Sequence, residues 1–221
     1  MRTLAIPFWL AGLGIVLRGA GFAFRKFSPS LGWARVAGAV FASSSLITPF
    51  FLGAIAGGVA SGRVPAEGTG DLWTSWLNPT SILGGTLSVL TCTFLAGVFL
   101  AADAAGLDAP ELADWLRRRA MIVGVVTGVV ALVGIIPLAA DAETLFDRLT
   151  SRGAPLVAVS AAGGIATLAL LRSSRLRAAR AAAVVAVGSI VVGWGVAQYP
   201  WVLVDEMRID DKVTESATLW G

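Results

Sequence analysis

Six long apolar stretches dominate the chain and constrain what it can fold into. A helix that crosses a bilayer needs about 20 mainly apolar residues. Only 14% of the residues are charged, against about 25% in soluble domains. No water reaches the bilayer core, so each stretch must satisfy its own backbone hydrogen bonds as a helix. The sequence therefore predicts an all-α, polytopic transmembrane helix bundle that forms a single domain over residues 1–221. The predicted spans are Leu4–Phe24, Val36–Ala60, Thr80–Ala102, Met121–Ala139, Pro155–Leu171 and Ala179–Gln198.

Basic residues are distributed unevenly between the two sets of connections. Ten lie between the first and second, third and fourth, and fifth and sixth spans: Arg25, Lys26, Arg35, Arg117, Arg118, Arg119, Arg172, Arg175, Arg177 and Arg180. Six lie on the other side, which also carries most of the acids. Cytoplasmic loops of membrane proteins are enriched in Lys and Arg. We therefore expect both termini and the tail over residues 200–221 to be extracytoplasmic.

The residue types that usually hold metals and haems are nearly absent. The chain has no histidine and one cysteine, Cys92, within an apolar stretch. Histidine is the commonest haem and zinc ligand and the commonest general base. The net charge of +3 and the lack of a dense basic face argue against a nucleic-acid partner. We expect no cofactor to be bound by this chain alone.

Arg18 is the one strongly charged residue within the apolar length of a predicted span. It stands about 10 Å along the helix axis from Arg25, at 1.5 Å per residue. Its guanidinium either snorkels to the membrane interface or pairs with an anionic group inside a bundle. The other five spans offer no acid at a matching depth. Arg18 is therefore predicted to reach a partner outside these spans: a further segment, another subunit or a cofactor carboxylate.

Several local patterns predict how the helices pack and where they begin. Small residues recur four positions apart, which lets membrane helices approach closely: Gly53 with Gly57, Gly58 with Gly62, Gly84 with Ser88, Gly124 with Gly128, and Gly193 with Ala197. Pro49 and Pro137 are expected to kink their spans. In LDAPELADWLRRRA, Asp108 is expected to cap a helix, with Pro110 in its first turn and Glu111 at capping-box spacing.

Four motifs, in order and spacing, resemble subunit II of cytochrome bd-type quinol oxidases. LGIVLRGAGFAFRK resembles the family's Arg-Gly-x-x-Phe-(Glu/Asp)-(Phe/Tyr)-Arg signature, and SSSLITPFFLGAIAGGVASGRVP resembles its next helix. WLNPTSILGGTLSVLTCTFLAGVFL resembles its Leu-Asn-Pro-x-x-(Leu/Ile)-Leu-x-Gly helix. VGWGVAQYPWVL resembles its Gly-Trp-x-x-Ala-Gln-Tyr-Pro motif. The resemblance singles out Arg18, Arg25, Asn78, Trp194 and Gln198 as structural or interface candidates; for Trp194, we favour packing over contact with a partner or cofactor edge.

The resemblance implies a bacterial inner-membrane terminal oxidase that oxidises quinol and reduces oxygen to water. Haems b and d are then expected in a haem-bearing subunit I, against which this chain packs without being catalytic alone. Quinol and lipid are the other expected partners. Ala23 stands where the family often has an acid. The resemblance also implies helices before Met1 and after the ATLWG end, so we expect a partial subunit or the product of a split gene.

Two other functions remain open from the residues alone. A glycine-rich bundle with kinked helices also suits a small-solute transporter or permease component. Against this, the chain shows no inverted repeat and only one charge within a span. The third possibility is a structural membrane fragment without activity of its own.

Overall fold

A computed structural model describes residues 3–26, 30–67, 70–204 and 206–209. Within these ranges the chain forms eight α-helices. The helices within these ranges are α1 (Ala5–Lys26), α2 (Leu31–Ala60), α3 (Pro79–Gly106), α4 (Pro110–Val133), α5 (Ile135–Asp141), α6 (Glu143–Thr150), α7 (Ala154–Arg172) and α8 (Leu176–Gln198). A two-stranded antiparallel pair follows, β1 (Trp201–Leu203) and β2 (Met207–Arg208). Residues 210–221 of the predicted tail lie outside the described residues.

Among the residues that the structure describes, six helical stretches are long and apolar enough to cross a membrane, which confirms the predicted multi-pass bundle. The fourth combines α4 and α5 as Pro110–Asp141. Pro137 has no N–H, so the Val133 carbonyl loses its helical partner. The helix is interrupted at Gly134, at the end of that same turn. The break lies within one turn of Pro137, where a kink is predicted, whereas α2 stays helical through Pro49.

Packing follows the chain, with α3 at the centre. Helix α1 packs along α2, α2 packs along α3, and α3 also contacts α4, α5 and α8. Helix α7 packs along α8 and touches α4. A buried cluster joins α3, α4, α7 and α8 near the turns that connect them in pairs: Phe94, Val98, Ala120, Leu171, Ala179 and Ala183. Helix α1 therefore has one main helical neighbour, and much of its surface is uncovered by this chain.

Glycines bring α2 and α3 into close contact. A Cβ added to Gly57 would lie 2.6 Å from both the Ser81 Cα and the Thr80 carbonyl oxygen. A Cβ on Gly84 would lie 2.6 Å from the Gly53 carbonyl oxygen. Both obstacles are backbone atoms, which cannot rotate away. The predicted role of the Gly53–Gly57 row is thus confirmed, whereas Gly128 has open space beside it and does not serve a close contact within this chain.

We predict that Gly57→Ala destabilises the fold by about 1–3 kcal/mol, because the added methyl group must push α2 and α3 apart. The midpoint of thermal unfolding in detergent measures the effect. Gly38→Ala, on the same helix with nothing near its added Cβ, is the matched control and should be neutral or slightly stabilising. Equal midpoints for the two variants would contradict the packing role.

The α3–α4 and α7–α8 turns share one design. Each has a non-glycine residue in the left-handed region, Asp108 at φ 54° and Ser174 at φ 58°. The next N–H donates back to the helix end, from Ala109 to Ala104 at 3.0 Å and from Arg175 to Leu170 at 2.9 Å. This is the Schellman arrangement that closes helices. The predicted cap by Asp108 is therefore wrong: Asp108 belongs to the end of α3, and Ala109 precedes α4 without a side-chain cap. Pro110 takes the predicted first-turn position.

Ser174→Gly should stabilise the protein by about 1 kcal/mol, because glycine adopts positive φ without the steric cost that a Cβ imposes. Ser173→Gly is the control, since Ser173 has an ordinary φ of −86°. Thermal unfolding should show a higher midpoint for the first variant and an equal or lower one for the second. A lower midpoint for Ser174→Gly would disprove the strain.

Candidate functional site

Two ends of the bundle differ in chemistry. We call the end with the α3–α4 and α7–α8 turns the arginine end. The loop end is the end with residues 61–67 and 70–78, the α5–α6 junction and the strand pair. The sequence-predicted candidates are divided between them. Arg25 lies at the end of α1 near the arginine end, whereas Asn78, Trp194 and Gln198 lie at or near the loop end.

Arg18 lies on the same side of α1 as the buried Gly14 and Gly21, in the line of residues that faces α2. Arg18 is nevertheless exposed, and its guanidinium carbon lies 5.5 Å from the centre of the Phe41 ring of α2. The buried residues described on α1 are Pro7, Ala11, Gly14 and Gly21. None of the ion pairs among the described residues includes Arg18. A cation over an aromatic ring at an exposed site contributes about 0.5–1 kcal/mol, which does not replace an anionic partner within a membrane.

The surface of α1 that this chain leaves uncovered is strongly apolar. Trp9 is 79% exposed, and Phe8, Ile15 and Phe22 are each more than half exposed. Arg25 is exposed at the C-terminal end of the same helix, where the negative end of the helix dipole stabilises a positive charge. Helix α1 therefore presents an uncovered apolar surface, with the exposed guanidinium of Arg18 beside α2 and that of Arg25 at the helix end.

Asn78 has a structural role. It is 3% exposed, and its Oδ1 accepts a hydrogen bond of 2.8 Å from the Ser81 N–H in the first turn of α3. Its Nδ2 donates to the carbonyl oxygens of Thr74 and Ser75, at 3.4 and 3.3 Å. Asn78 thus caps α3 and fastens it to the loop that precedes it, as Asn and Asp do at helix N-termini.

Asp141 is a polar centre that the sequence analysis did not identify. Its side chain is 8% exposed and pairs with the Arg63 guanidinium. Its Oδ2 accepts hydrogen bonds from the Thr80 N–H at 3.1 Å and the Thr80 hydroxyl at 2.6 Å. One carboxylate therefore joins the exit of α2, the start of α3 and the end of α5. The available signal was Asp141 itself, an acid directly after an apolar span.

We predict that Asp141→Asn lowers stability by about 1–3 kcal/mol, since a buried charged acceptor loses its charge while Arg63 loses its counter-ion. Asp103→Asn is the matched control. Its carboxylate also pairs with an arginine, Arg180 at 2.7 Å, but is 53% exposed, so the loss should stay below about 1 kcal/mol. The midpoints of thermal unfolding of the two variants measure these losses of stability. A larger loss of stability for Asp103→Asn than for Asp141→Asn would refute the central role of Asp141.

The end of α8 carries polar groups without protein partners. Both amide atoms of Gln198 and the Trp201 Nε1 are buried and lack a hydrogen-bond partner among the described residues. Arg148 donates from Nη1 to the Tyr199 carbonyl oxygen at 3.1 Å, and its guanidinium carbon lies 6.0 Å from the Trp201 ring centre. Trp194 is 36% exposed on the outer surface of α8. Gln198 therefore has hydrogen-bonding capacity left for a water molecule or a partner.

The loop before α3 is organised by Asp71. Its Oδ1 accepts hydrogen bonds from the N–H groups of Trp73 and Thr74, each at 2.8 Å. The Thr74 N–H, then the Trp73 N–H and the Thr74 hydroxyl, lower the pKa of this exposed carboxyl below its ordinary value. Trp76, 6% exposed, packs from this loop onto a cluster with Leu4, Ile55 and Val64. The loop thereby closes the loop end over α1 and α2.

The donor set of this chain does not fit a haem or a metal centre. Haem iron is held by His, Met, Cys or Tyr. Histidine is absent from the 221 residues, Cys92 is exposed, and Tyr199 is 57% exposed at the loop end. Within the described ranges, no three His, Cys, Asp or Glu side chains come together.

The chain is similar to known proteins in both sequence and fold. The family model described as cytochrome bd terminal oxidase subunit II matches residues 1–220. The chain belongs to this family. This confirms the resemblance carried by the four motifs. A solved chain of the bd oxidase from Geobacillus thermodenitrificans is 25% identical, with a TM-score of 0.77. The match covers 97% of this chain and 66% of that one, so the chain spans slightly under two thirds of that relative's length.

No curated protein matches the chain. The structural match confirms the predicted all-α membrane bundle. Neither the family model nor the structural match points to a transporter.

Proposed function

We propose that the chain is the non-haem membrane subunit of a terminal oxidase that oxidises quinol and reduces oxygen to water. Membership of the subunit II family over residues 1–220 carries this proposal. The likeness to a chain of a bd oxidase supports it. The chain is a structural component of the complex and is not catalytic alone.

The haems of such an oxidase are assigned to a partner, subunit I. The donor set described above supports this division, because this chain offers no histidine to a haem iron. The partner then holds the redox chemistry, whereas this chain supplies packing surface and membrane anchoring. We assign the arginine end to the cytoplasm, because ten of the basic residues lie in the connections on that side.

Arg18 and Arg25 are proposed to face subunit I. Two observations support this: the Arg18 guanidinium is exposed beside α2 without a carboxylate among the described residues, and the neighbouring surface of α1 is apolar and uncovered. A guanidinium at this depth is costly unless it is paired or reaches water. Trp194 keeps the packing role that we favour for it, and the unpartnered amide of Gln198 is proposed as a structural or interface group at the loop end.

The test of the function is co-purification of the tagged chain from its native membrane. We expect a haem-bearing membrane subunit to accompany it, with quinol oxidation by the complex that tolerates cyanide. Deletion of the gene should remove that activity from the membranes. A chain that purifies alone, and whose deletion leaves respiration unchanged, would exclude the oxidase function.

For the interface, we predict that Arg18→Leu reduces the co-purified haem subunit roughly tenfold or more, because its anionic partner would lose its counter-charge. Arg18→Lys keeps a charge but not the planar fork of the guanidinium. The amount of haem subunit that it retains should lie between those of the unaltered protein and Arg18→Leu. Arg35→Leu, an exposed arginine at the start of α2, is the control and should assemble normally. Unchanged assembly and haem spectrum in Arg18→Leu would mean that the side chain snorkels to the interface instead.

A further inference from the structure

The α7–α8 hairpin carries positive charge with no negative charge of its own. No Asp or Glu occurs between Asp147 and Asp205, whereas Arg172, Arg175 and Arg177 lie within six residues around one tight turn. All three are exposed. The backbone of the turn is closed by the Arg175 N–H on the Leu170 carbonyl oxygen. The three side chains are therefore held at one end of two packed helices.

The neighbouring carboxylates of the arginine end do not neutralise this turn. Asp103 of α3 pairs with Arg180 at 2.7 Å. Asp114 of α4 pairs with Arg117 at 3.0 Å, and Arg117 also donates to the Leu171 carbonyl oxygen at 3.1 Å. Asp108 and Glu111 form no ion pair within the described ranges. Arg117 and Arg180 are thus fixed to protein groups. None of the ion pairs among the described residues includes Arg172, Arg175 or Arg177.

The position of the turn determines what it meets. It joins Ala154–Arg172 to Leu176–Gln198, two helices that are each able to cross the membrane. Their shared end therefore lies at the level of lipid headgroups. Arginine binds phosphate through two parallel N–H donors, and basic clusters directly beside transmembrane helices attract anionic lipids by about 1 kcal/mol per residue.

We propose that Arg172, Arg175 and Arg177 form a binding site for the phosphate of an anionic phospholipid. Charge complementarity and the depth of the turn favour this occupant over an acidic protein surface. The site is separate from the uncovered face of α1 and does not depend on the oxidase assignment.

The experiment is native mass spectrometry of the detergent-purified protein, in whatever assembly it purifies, with added phosphatidylglycerol or phosphatidylcholine. We expect tighter binding of phosphatidylglycerol, and a weakening of roughly tenfold or more in the triple variant Arg172→Gln, Arg175→Gln, Arg177→Gln. The triple Lys variant keeps the charges and should retain most of the selectivity. Arg35→Gln, which removes one exposed charge at the same end of the bundle, is compared with the single variant Arg175→Gln and should leave binding unchanged.

Three outcomes would overturn the site: equal affinity for both lipids in the unaltered protein, unchanged affinity in the triple Gln variant, or an equal loss in Arg35→Gln and Arg175→Gln. If the triple Gln variant keeps its lipid selectivity but loses a co-purifying subunit, the occupant is an acidic protein surface and the lipid proposal is wrong. The single variants preserve the test if the triple Gln variant does not fold. Absence of any haem subunit would refute the oxidase assignment but not the lipid site.

Discussion

The carboxylate of Asp141 lies where the exit of α2, the start of α3 and the end of α5 meet. It accepts from the Arg63 guanidinium and from both the N–H and the hydroxyl of Thr80. The first N–H groups of a helix have no partner within the helix, and a helix start buried in a bundle cannot leave them to water. Asn78 satisfies a second of these groups at Ser81. Because α3 is the central helix, the placement of its neighbours depends on this anchored start.

From that start, backbone contact rather than side-chain volume sets how α2 and α3 cross. Apolar side chains gain little by leaving lipid for a protein interior, so close packing carries the association of membrane helices. Gly53, Gly57 and Gly84 remove the atoms that would keep the two backbones apart. A glycine on a helix face that meets no other helix of this chain adds nothing to this contact, as the open space beside Gly128 illustrates.

Arginines serve this chain in three different settings. Arg63, Arg117 and Arg180 pair with carboxylates of the chain. Arg18 is exposed beside the Phe41 ring of α2, where we propose that a partner subunit supplies the counter-charge. Arg172, Arg175 and Arg177 lie at the headgroup level, where we propose that lipid phosphate does so. The distinction rests on depth and on which carboxylates lie within reach, not on residue type.

The sequence by itself determined the class of fold and the family. Long apolar stretches admit only helices in lipid, and four spaced motifs identified the cytochrome bd subunit II family, which the match over residues 1–220 confirms. The sequence also predicts that Arg18 lacks an acidic partner in the other spans, and no ion pair among the described residues includes it. The placement of Arg18 and the other candidates at an interface stays a prediction.

Tertiary structure alone decided which polar groups meet. Asp141 and Arg63 are 78 residues apart, and no local pattern brings them together. Asp108 illustrates the converse: its spacing to Glu111 matched a helix cap, but the turn from α3 placed it in the left-handed region, where it ends one helix instead of beginning the next. Local spacing fixes what a residue can do on its own helix, whereas contacts between distant segments depend on how the helices pack.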